Sequence, residues 1–395
     1  MKTFDHPTLR DPAIQAILSQ EYGRFTDAEY ARRRQRLGEV MARQGCDALL
    51  LAGEQRVGSA VHWVTAWGVT TEALVVFQPA ERDALFIEHY NHLPNARRMA
   101  LGADVHWAER KGARLAIEEL RRRGARRVGF IGNASWSKMK ALAEAFDLVD
   151  LNGDYAQLRM RKSDEEIQWM RIGAALSDLG IEALAQGARP GMTERELGAL
   201  VERDYHALGG TTTIHFIGIN DMQRPDCCVP PQYHSSRRLK GGDMMFVEFT
   251  ASFWDSPGQV LRSFTVEAEP TPLFRDLYAT AEAAFKAMSG VLRAGVTMQE
   301  IVDASGVIEE AGFTTYDDIL HGFGGGYWPP VLGSKSRPAG PLPEMKLEAN
   351  MTVVVQPNVI TRDQKAGVQM GEMVRITPSG FERMHHAPGG FRRIG

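Results

Sequence analysis

Short apolar runs alternate with amphipathic stretches through the first part of this chain. The runs Asp47 to Gly53, Thr71 to Pro79, Asp83 to His89 and Arg127 to Gly132 read as strands. Tyr30 to Gln44, Asn91 to Leu101, Arg114 to Arg123 and Ser135 to Phe146 read as helices. The alternation predicts an α/β domain over residues 1–157. Near Leu158 to Lys162 the pattern changes: Ser163-Asp164-Glu165-Glu166 is a capping box, and Ile167, Met170, Ala174, Ser177 and Ile181 then fall on one face of a long helix. A second domain therefore spans 158–395. It continues with a helix from Thr193, a Pro/His-rich loop from Gly218 to Arg238, strands between Asp243 and Val266, and Gly/Pro-rich loops at Gly322 to Pro330 and Gly333 to Pro343.

Within the second domain one unit occurs twice. Gly191-Met192-Thr193-Glu194-Arg195-Glu196-Leu197 is followed by the apolar run Asp243 to Val247, which is expected to end at Glu248. Gly295-Val296-Thr297-Met298-Gln299-Glu300-Ile301 is followed at a similar distance by Met351 to Val355 and then Gln356. Each Thr-x-x-Glu starts a helix and each later run is a buried strand closing on a polar side chain. A duplicated unit sets Glu248 and Gln356 across a pseudo-two-fold axis, facing one cavity.

Composition narrows the classes. The 395 residues carry 46 basic and 49 acidic side chains and are 44% hydrophobic, the balance of an ordinary globular protein, so neither nucleic acid nor membrane is expected as a partner. The start, Met1 to Pro7, lacks the apolar segment of a signal peptide, and a cytoplasmic location is expected. Three cysteines make neither a disulfide framework nor a four-ligand zinc site. No Gly-x-Gly-x-x-Gly follows the strands of the first domain, which argues against a nucleotide. His62, Trp63 and Trp67 form an aromatic cluster there, read as core packing.

From Leu158 onward the order of elements resembles the creatinase/prolidase/methionine aminopeptidase superfamily with its pita-bread fold. The matching pieces are Arg161-Lys162-Ser163 with Glu166, Pro190 to Glu194, Leu239 to Asp243, Arg262-Ser263-Phe264, His321-Gly322-Phe323-Gly324, Met351 to Pro357 and Met373 to Thr377. The resemblance implies a creatinase/prolidase-type α/β N-terminal domain ahead of an α+β pita-bread domain with a pseudo-two-fold repeat. It also implies a homodimer in which the partner's N-terminal domain lies near the active site.

Metallopeptidases of this family hold two divalent ions with Asp, Asp, His, Glu and Glu, and the resemblance carries those positions onto Glu248, Gln259, His321, Gln356 and Gly371. Glu372 is expected on the opposite strand face. Two divalent ions would face Glu248 as the only carboxylate, so no metal and no cofactor are expected. Trp328 stands where the family has a second histidine, seven residues after His321. Metal-free creatinase then supplies the closest logic: acid/base hydrolysis of a C–N bond in a small polar molecule.

In that scheme Glu248 is the base and His321 or His234 the acid. Gln259 and Gln356 orient the reacting group, while Tyr233, Trp328, Tyr327, Arg262 and His215 are candidates for contacting substrate, with Arg262 also readable as a structural ion-pair residue and His215 as a core residue. A metal-dependent Xaa-Pro peptidase or lyase, and a catalytically inactive binding protein, remain the alternatives.

Overall fold

The computed structural model describes residues 6–54 and 59–395; the opening segment Met1 to Asp5 lies outside them. The chain divides into two compact units, Gln20–Arg159 and a larger one made of Met160–Gly395 together with the segment up to Ser19. Among the described residues no helix is long and apolar enough to cross a membrane.

The smaller unit is built on six strands, β1 (Ala48–Gly53), β2 (Ala73–Phe77), β3 (Asp83–Ile87), β4 (Ala103–Trp107), β5 (Arg127–Ile131) and β6 (Asp147–Asp150), ordered β4-β3-β2-β1-β5-β6. The central strands β1, β2 and β3 are buried along their whole length, as their apolar runs require, whereas the outer strands β4 and β6 alternate with exposed polar positions. Helix Asp27–Arg43 is capped by Thr26, whose hydroxyl accepts from the Glu29 amide. Its buried Glu29 pairs with Arg33 at 2.7 Å, and the Arg33 guanidinium donates to the Trp63 carbonyl and lies 5.2 Å from the Trp63 ring centroid. Trp63 is thus part of the core.

The larger unit centres on a nine-stranded sheet. Its strands are β7 (Gly210–Asp221), β8 (Asp243–Phe253), β9 (Ser256–Val266), β11 (Leu320–Phe323), β12 (Tyr327–Leu332), β13 (Thr352–Val355), β15 (Gly371–Ile376), β16 (Phe381–Arg383) and β17 (Arg392–Ile394). The path runs β12-β11-β13-β15-β9-β8-β7, with β16 beside β15 and β17 beside β9; β10 (Thr314–Thr315) and β14 (Val359–Ile360) pair separately.

The internal duplication is visible atom by atom. Capping boxes start helices Glu194–His206 and Met298–Ala304, each with both reciprocal bonds made. Thr193 bridges to Arg238 and Thr297 to Lys346. Alongside, the Gly191 amide donates to the Leu239 carbonyl and the Gly295 amide to the Leu347 carbonyl. Three residues beyond each leucine the backbone turns through positive φ, at Gly242 (89°) and Asn350 (68°), the two residue types that enter this region most readily. Each turn then feeds a strand of the site, β8 or β13.

The segment ahead of the smaller unit is tied down by a buried polar cluster. Asp178, on helix Asp164–Gly187, accepts from His6 Nε2 at 3.1 Å, His385 Nδ1 at 2.8 Å and the His386 amide at 2.5 Å. Burial alone would raise the Asp178 pKa, but the His385 charge and the bonds from His385, His6 and the His386 amide outweigh it and hold the carboxyl below its ordinary value. Its stabilisation is therefore present above the unfolded pKa and is lost as pH falls through the depressed folded one. Asp178→Ala leaves two buried histidines without their acceptor and is expected to cost about 3–5 kcal/mol, read as a lowered urea midpoint at pH 7. A loss under about 1 kcal/mol would show that the cluster does not hold the fold together.

Candidate active site

Strand register decides which side chains meet. Glu248 lies in the middle of β8, which continues to Phe253, instead of closing the strand as the apolar run had predicted. It stands opposite Phe216 of β7 and Leu261 of β9, and Gln259 stands opposite Thr250. Opposed residues share a face and successive residues alternate, so Glu248, Thr250, Gln259 and Leu261 project the same way. Gln259 Nε2 donates to Glu248 Oε1 at 2.5 Å. Gly371 of β15 pairs with Leu261 and so belongs to that face, while Glu372 pairs with Val260 and belongs to the other.

The second half of the repeat contributes His321 on β11 and Gln356 just past β13. The Gln356 amide is fixed on the Ile319 carbonyl at 2.9 Å. His321 is 1% exposed, and its ring stacks on Tyr327 with centroids 4.2 Å apart and planes at 19°. Tyr327 is 51% exposed.

Two residues of the site were not anticipated from sequence. Asp317 and Asp318 precede the His321 strand and turn their carboxyls toward the same place. Tyr327 Oη donates to Asp318 Oδ1 at 2.8 Å, Gln356 Nε2 reaches the Asp318 carbonyl at 3.2 Å and its Oδ2 at 3.5 Å, and Asn358 Nδ2 donates to Asp317 Oδ2 at 3.2 Å. Glu248 is therefore not the only carboxylate, a correction to the charge expected here. Chain order gave no warning, because the Asp pair sits in a connection with neither strand nor helix periodicity.

The electrostatics follow from this crowding. Glu248 keeps some solvent contact, yet burial of its carboxyl, then the charges of Asp317 and Asp318, push its pKa up to about 8 despite the opposing bond from Gln259. Burial also pushes Asp317 above the usual carboxylate range. His321 moves the opposite way: burial lowers its pKa, with the Asp318 charge working against the shift. Burial and like charge thus favour the protonated form of Glu248, and burial favours the uncharged form of His321. His321 Nδ1 lies 3.3 Å from the Gly322 carbonyl, a contact that favours a proton on Nδ1, and the Gln356 side chain also acts on the ring.

Several expected residues lie elsewhere. His215 pairs with Phe249, the neighbour of Glu248, and so projects from the opposite face. There it touches the Phe249 ring at 4.7 Å and the His234 ring at 4.8 Å, bonds to Glu202 at 3.1 Å, and is pushed down to about 4 by burial and then by His234. His234 is packed against Gly198 of helix Glu194–His206, with Nε2 on the His215 carbonyl at 2.8 Å. The strand alternation removes both histidines from the Glu248 site.

Arg262 pairs with Val247 and also leaves on that far side. It is buried with Glu372 at 2.8 Å and donates to the carbonyls of Leu261, Gly371, Pro388 and Ala387, the structural reading of the two expected for it. Tyr233 is 86% exposed and takes no part in this cluster. Trp328 stands beside Tyr327 on β12 with its indole donating to the Gly324 carbonyl at 2.8 Å. Of the expected contacts, Gln259 bonds Glu248, while Gln356, His321 and Tyr327 meet at Asp318, whose charge acts on Glu248.

The architecture and the site can now be set beside known proteins. The model of metallopeptidase family M24 matches residues 168–378, and that of the creatinase/prolidase N-terminal domain matches residues 33–161. The chain belongs to metallopeptidase family M24. It is 24% identical over 387 residues to an uncharacterized hydrolase/peptidase, y4tL, of Sinorhizobium fredii, covering 92% of this chain and 96% of the relative. A putative dipeptidase of Bacillus subtilis, YkvY, is 25% identical over 237 residues, covering 59% of this chain and 62% of the relative. Among solved structures, a Xaa-Pro dipeptidase from Bacillus anthracis superposes with a TM-score of 0.78 at 20% identity, covering 92% of this chain and all of that one. A prolidase from Thermococcus sibiricus reaches 0.80 at 16% identity, covering 94% and 100%. The fold of this M24 protein is a creatinase/prolidase N-terminal domain followed by a pita-bread domain.

The family name implies a metal, and the donor set answers whether these residues fit two ions. At the second ligand position Gln259 presents an amide N–H to Glu248, where a bridging ligand would need a lone pair. At the fifth, Gly371 has no side chain, and a Cβ built there falls 2.3 Å from the Val355 carbonyl oxygen and 2.8 Å from Gln356 Cα. Glu372 is committed to Arg262 and Arg383 on the other face. Among the described residues no three of His, Cys, Asp and Glu are grouped to hold an ion. The residues present do not fit a dinuclear centre.

The closed fifth position can be tested directly. Gly371→Ala forces the Val355 carbonyl or Gln356 aside and is expected to destabilise by about 1–3 kcal/mol in urea unfolding. An unchanged midpoint would mean that the strand yields there and that a ligand side chain could be restored.

Proposed function

We propose that this chain hydrolyses a C–N bond in a small polar substrate by proton transfer between its own side chains, without a dinuclear metal centre. The observation that carries the reading is the 2.5 Å bond from Gln259 to Glu248, which replaces a ligand-to-metal bridge by an amide holding a carboxyl. Cleavage of a C–N bond is also what the names of the peptidase and dipeptidase relatives have in common with creatinase-like action. Trp328 at the second histidine position, its indole engaged by Gly324, supports a substrate smaller than a peptide.

The roles are the reverse of those expected from sequence. His321, kept neutral by burial, accepts through Nε2 the proton of the attacking water as the C–O bond forms. Glu248, protonated at neutral pH, gives its proton to the departing nitrogen as the C–N bond breaks. Gln259 fixes the Glu248 carboxyl, Tyr327 holds the His321 ring flat, and Gln356 ties the Asp318 loop to the end of β13.

The pH profile of kcat/KM should carry the signature. Activity should fall as pH rises through about 8, where Glu248 loses the proton it donates. It should fall again on the acid side below the ordinary imidazole value of 6.5, where His321 becomes charged. Glu248→Gln is expected to lower kcat by roughly 10²–10⁴ and to abolish the alkaline limb, with turnover of the parent protein insensitive to EDTA. Loss of activity on chelation, restored by manganese or zinc, would replace this reading by that of a metal-dependent peptidase.

A further inference from the structure

The hydrogen-bonding inventory of the recess points to the charge of its ligand. Four donors directed toward the carboxyls are spent inside the protein: Gln259 Nε2 on Glu248, Gln356 Nε2 on Asp318, Asn358 Nδ2 on Asp317 and Tyr327 Oη on Asp318. Gln369 beside Asp317 and the Thr250 hydroxyl have no partner at hydrogen-bond distance, and two amide acceptors stand unmatched with them. Gln259 is 1% exposed and Gln356 4% exposed, and the Oε1 atom of each has no hydrogen-bond partner. Leaving a buried amide oxygen unmatched costs about 1–3 kcal/mol, and two such atoms flank the same carboxyls.

The charge balance has the same sign. Among the described residues, Glu248, Asp317 and Asp318 form no ion pair with any lysine or arginine. Arg337 acts on Asp317 through its charge, while its guanidinium lies 4.6 Å from the Tyr316 ring centroid. The half-exposed Tyr327 ring adds a flat aromatic surface at the rim, which favours a cation over a neutral group.

We propose that the recess binds a small organic cation bearing several N–H donors, a primary ammonium or an amidinium, received by Glu248 and Asp318 together with the Oε1 atoms of Gln259 and Gln356. The proposal rests on the site identified above and names the substrate class for its reaction. An anion would meet three carboxyls that form no ion pair with a lysine or arginine among the described residues. A cation without N–H groups would leave both amide oxygens unmatched.

Isothermal titration calorimetry on the full chain separates these cases with four probes of similar size: acetamidinium, methylammonium, acetamide and tetramethylammonium. Acetamidinium or methylammonium should bind at least about tenfold more tightly than acetamide and tetramethylammonium, a difference near 1.4 kcal/mol. Asp318→Asn should bring the preferred cation to within a few-fold of acetamide, with thermal unfolding used to verify that the variant is folded. Should it not fold, Gln356→Leu, which removes one acceptor and no charge, should weaken the N–H cations and leave tetramethylammonium unchanged. Equal binding of acetamide and acetamidinium, or no binding of any cation, would overturn the proposal. So would micromolar binding of manganese alone that is lost in Asp318→Asn, because the recess would then be a metal-ion site. Binding is read without turnover, so a failed hydrolysis scheme leaves cation selectivity intact, and a failed selectivity leaves the scheme intact.

Discussion

The period-two alternation of β8 and β9 is the constraint on which the rest depends. One face of this pair carries Glu248 and Gln259, and the other carries Phe249 and Arg262. A one-residue slip in the pairing would exchange the two sets, bringing a guanidinium to the Glu248 face and sending the Glu248 carboxyl toward the His215–His234 cluster. The far face resists such a slip. Arg262 makes one buried ion pair and donates to four backbone carbonyls from three separate stretches of chain, so its strand cannot shift without breaking all of them. The structural arginine on one side fixes the register of the chemical carboxyl on the other.

Duplication accounts for how the two halves of the site reach one place. The bridges at Thr193 and Thr297, and the positive-φ turns at Gly242 and Asn350, are built alike and each delivers a strand whose sixth following residue is Glu248 or Gln356. Symmetry stops at the side chains. In the first half the carboxyl meets an amide from the adjacent strand, whereas in the second the amide meets a carboxyl from the preceding loop. Each half thus contributes one member of an acid–amide pair, and the two pairs leave their amide oxygens on offer.

How much of this was legible in the sequence depended on the range of the interaction. Capping boxes at Ser163, Thr193 and Thr297 are local, so their residue types alone announced the helix starts. The central strands of the first unit were legible because burial on both faces keeps them continuously apolar, while β4 and β6, half exposed at the sheet edges, carry Asp104, His106, Asp147 and Asp150 and show no such run. Long-range relations were harder to read. His234 is close in sequence to β8 and has the right chemistry for an acid, but only pairing across β7 and β8 reveals that it lies behind the sheet. Asp317 and Asp318 failed in the reverse sense: two acidic residues in a connection look like a solvated turn until the fold brings Tyr327, Gln356 and Asn358 to them.

In the proposed scheme a donor set that does not fit two metal ions and a carboxyl that keeps its proton have one physical cause. A pair of divalent ions would hold a neighbouring glutamate ionised through their charge. Where glutamines stand at the other ligand positions, Glu248 faces Asp317 and Asp318 with no lysine or arginine ion pair to them among the described residues, and burial beside these like charges favours a carboxyl that keeps its proton. Gln259 cannot prevent this, since one neutral N–H opposes both burial and two like charges. In the proposed scheme the residues that disfavour a dinuclear centre are the ones that leave Glu248 the proton it would donate. The same cluster, short of positive charge, sets the condition that a substrate must meet on entry.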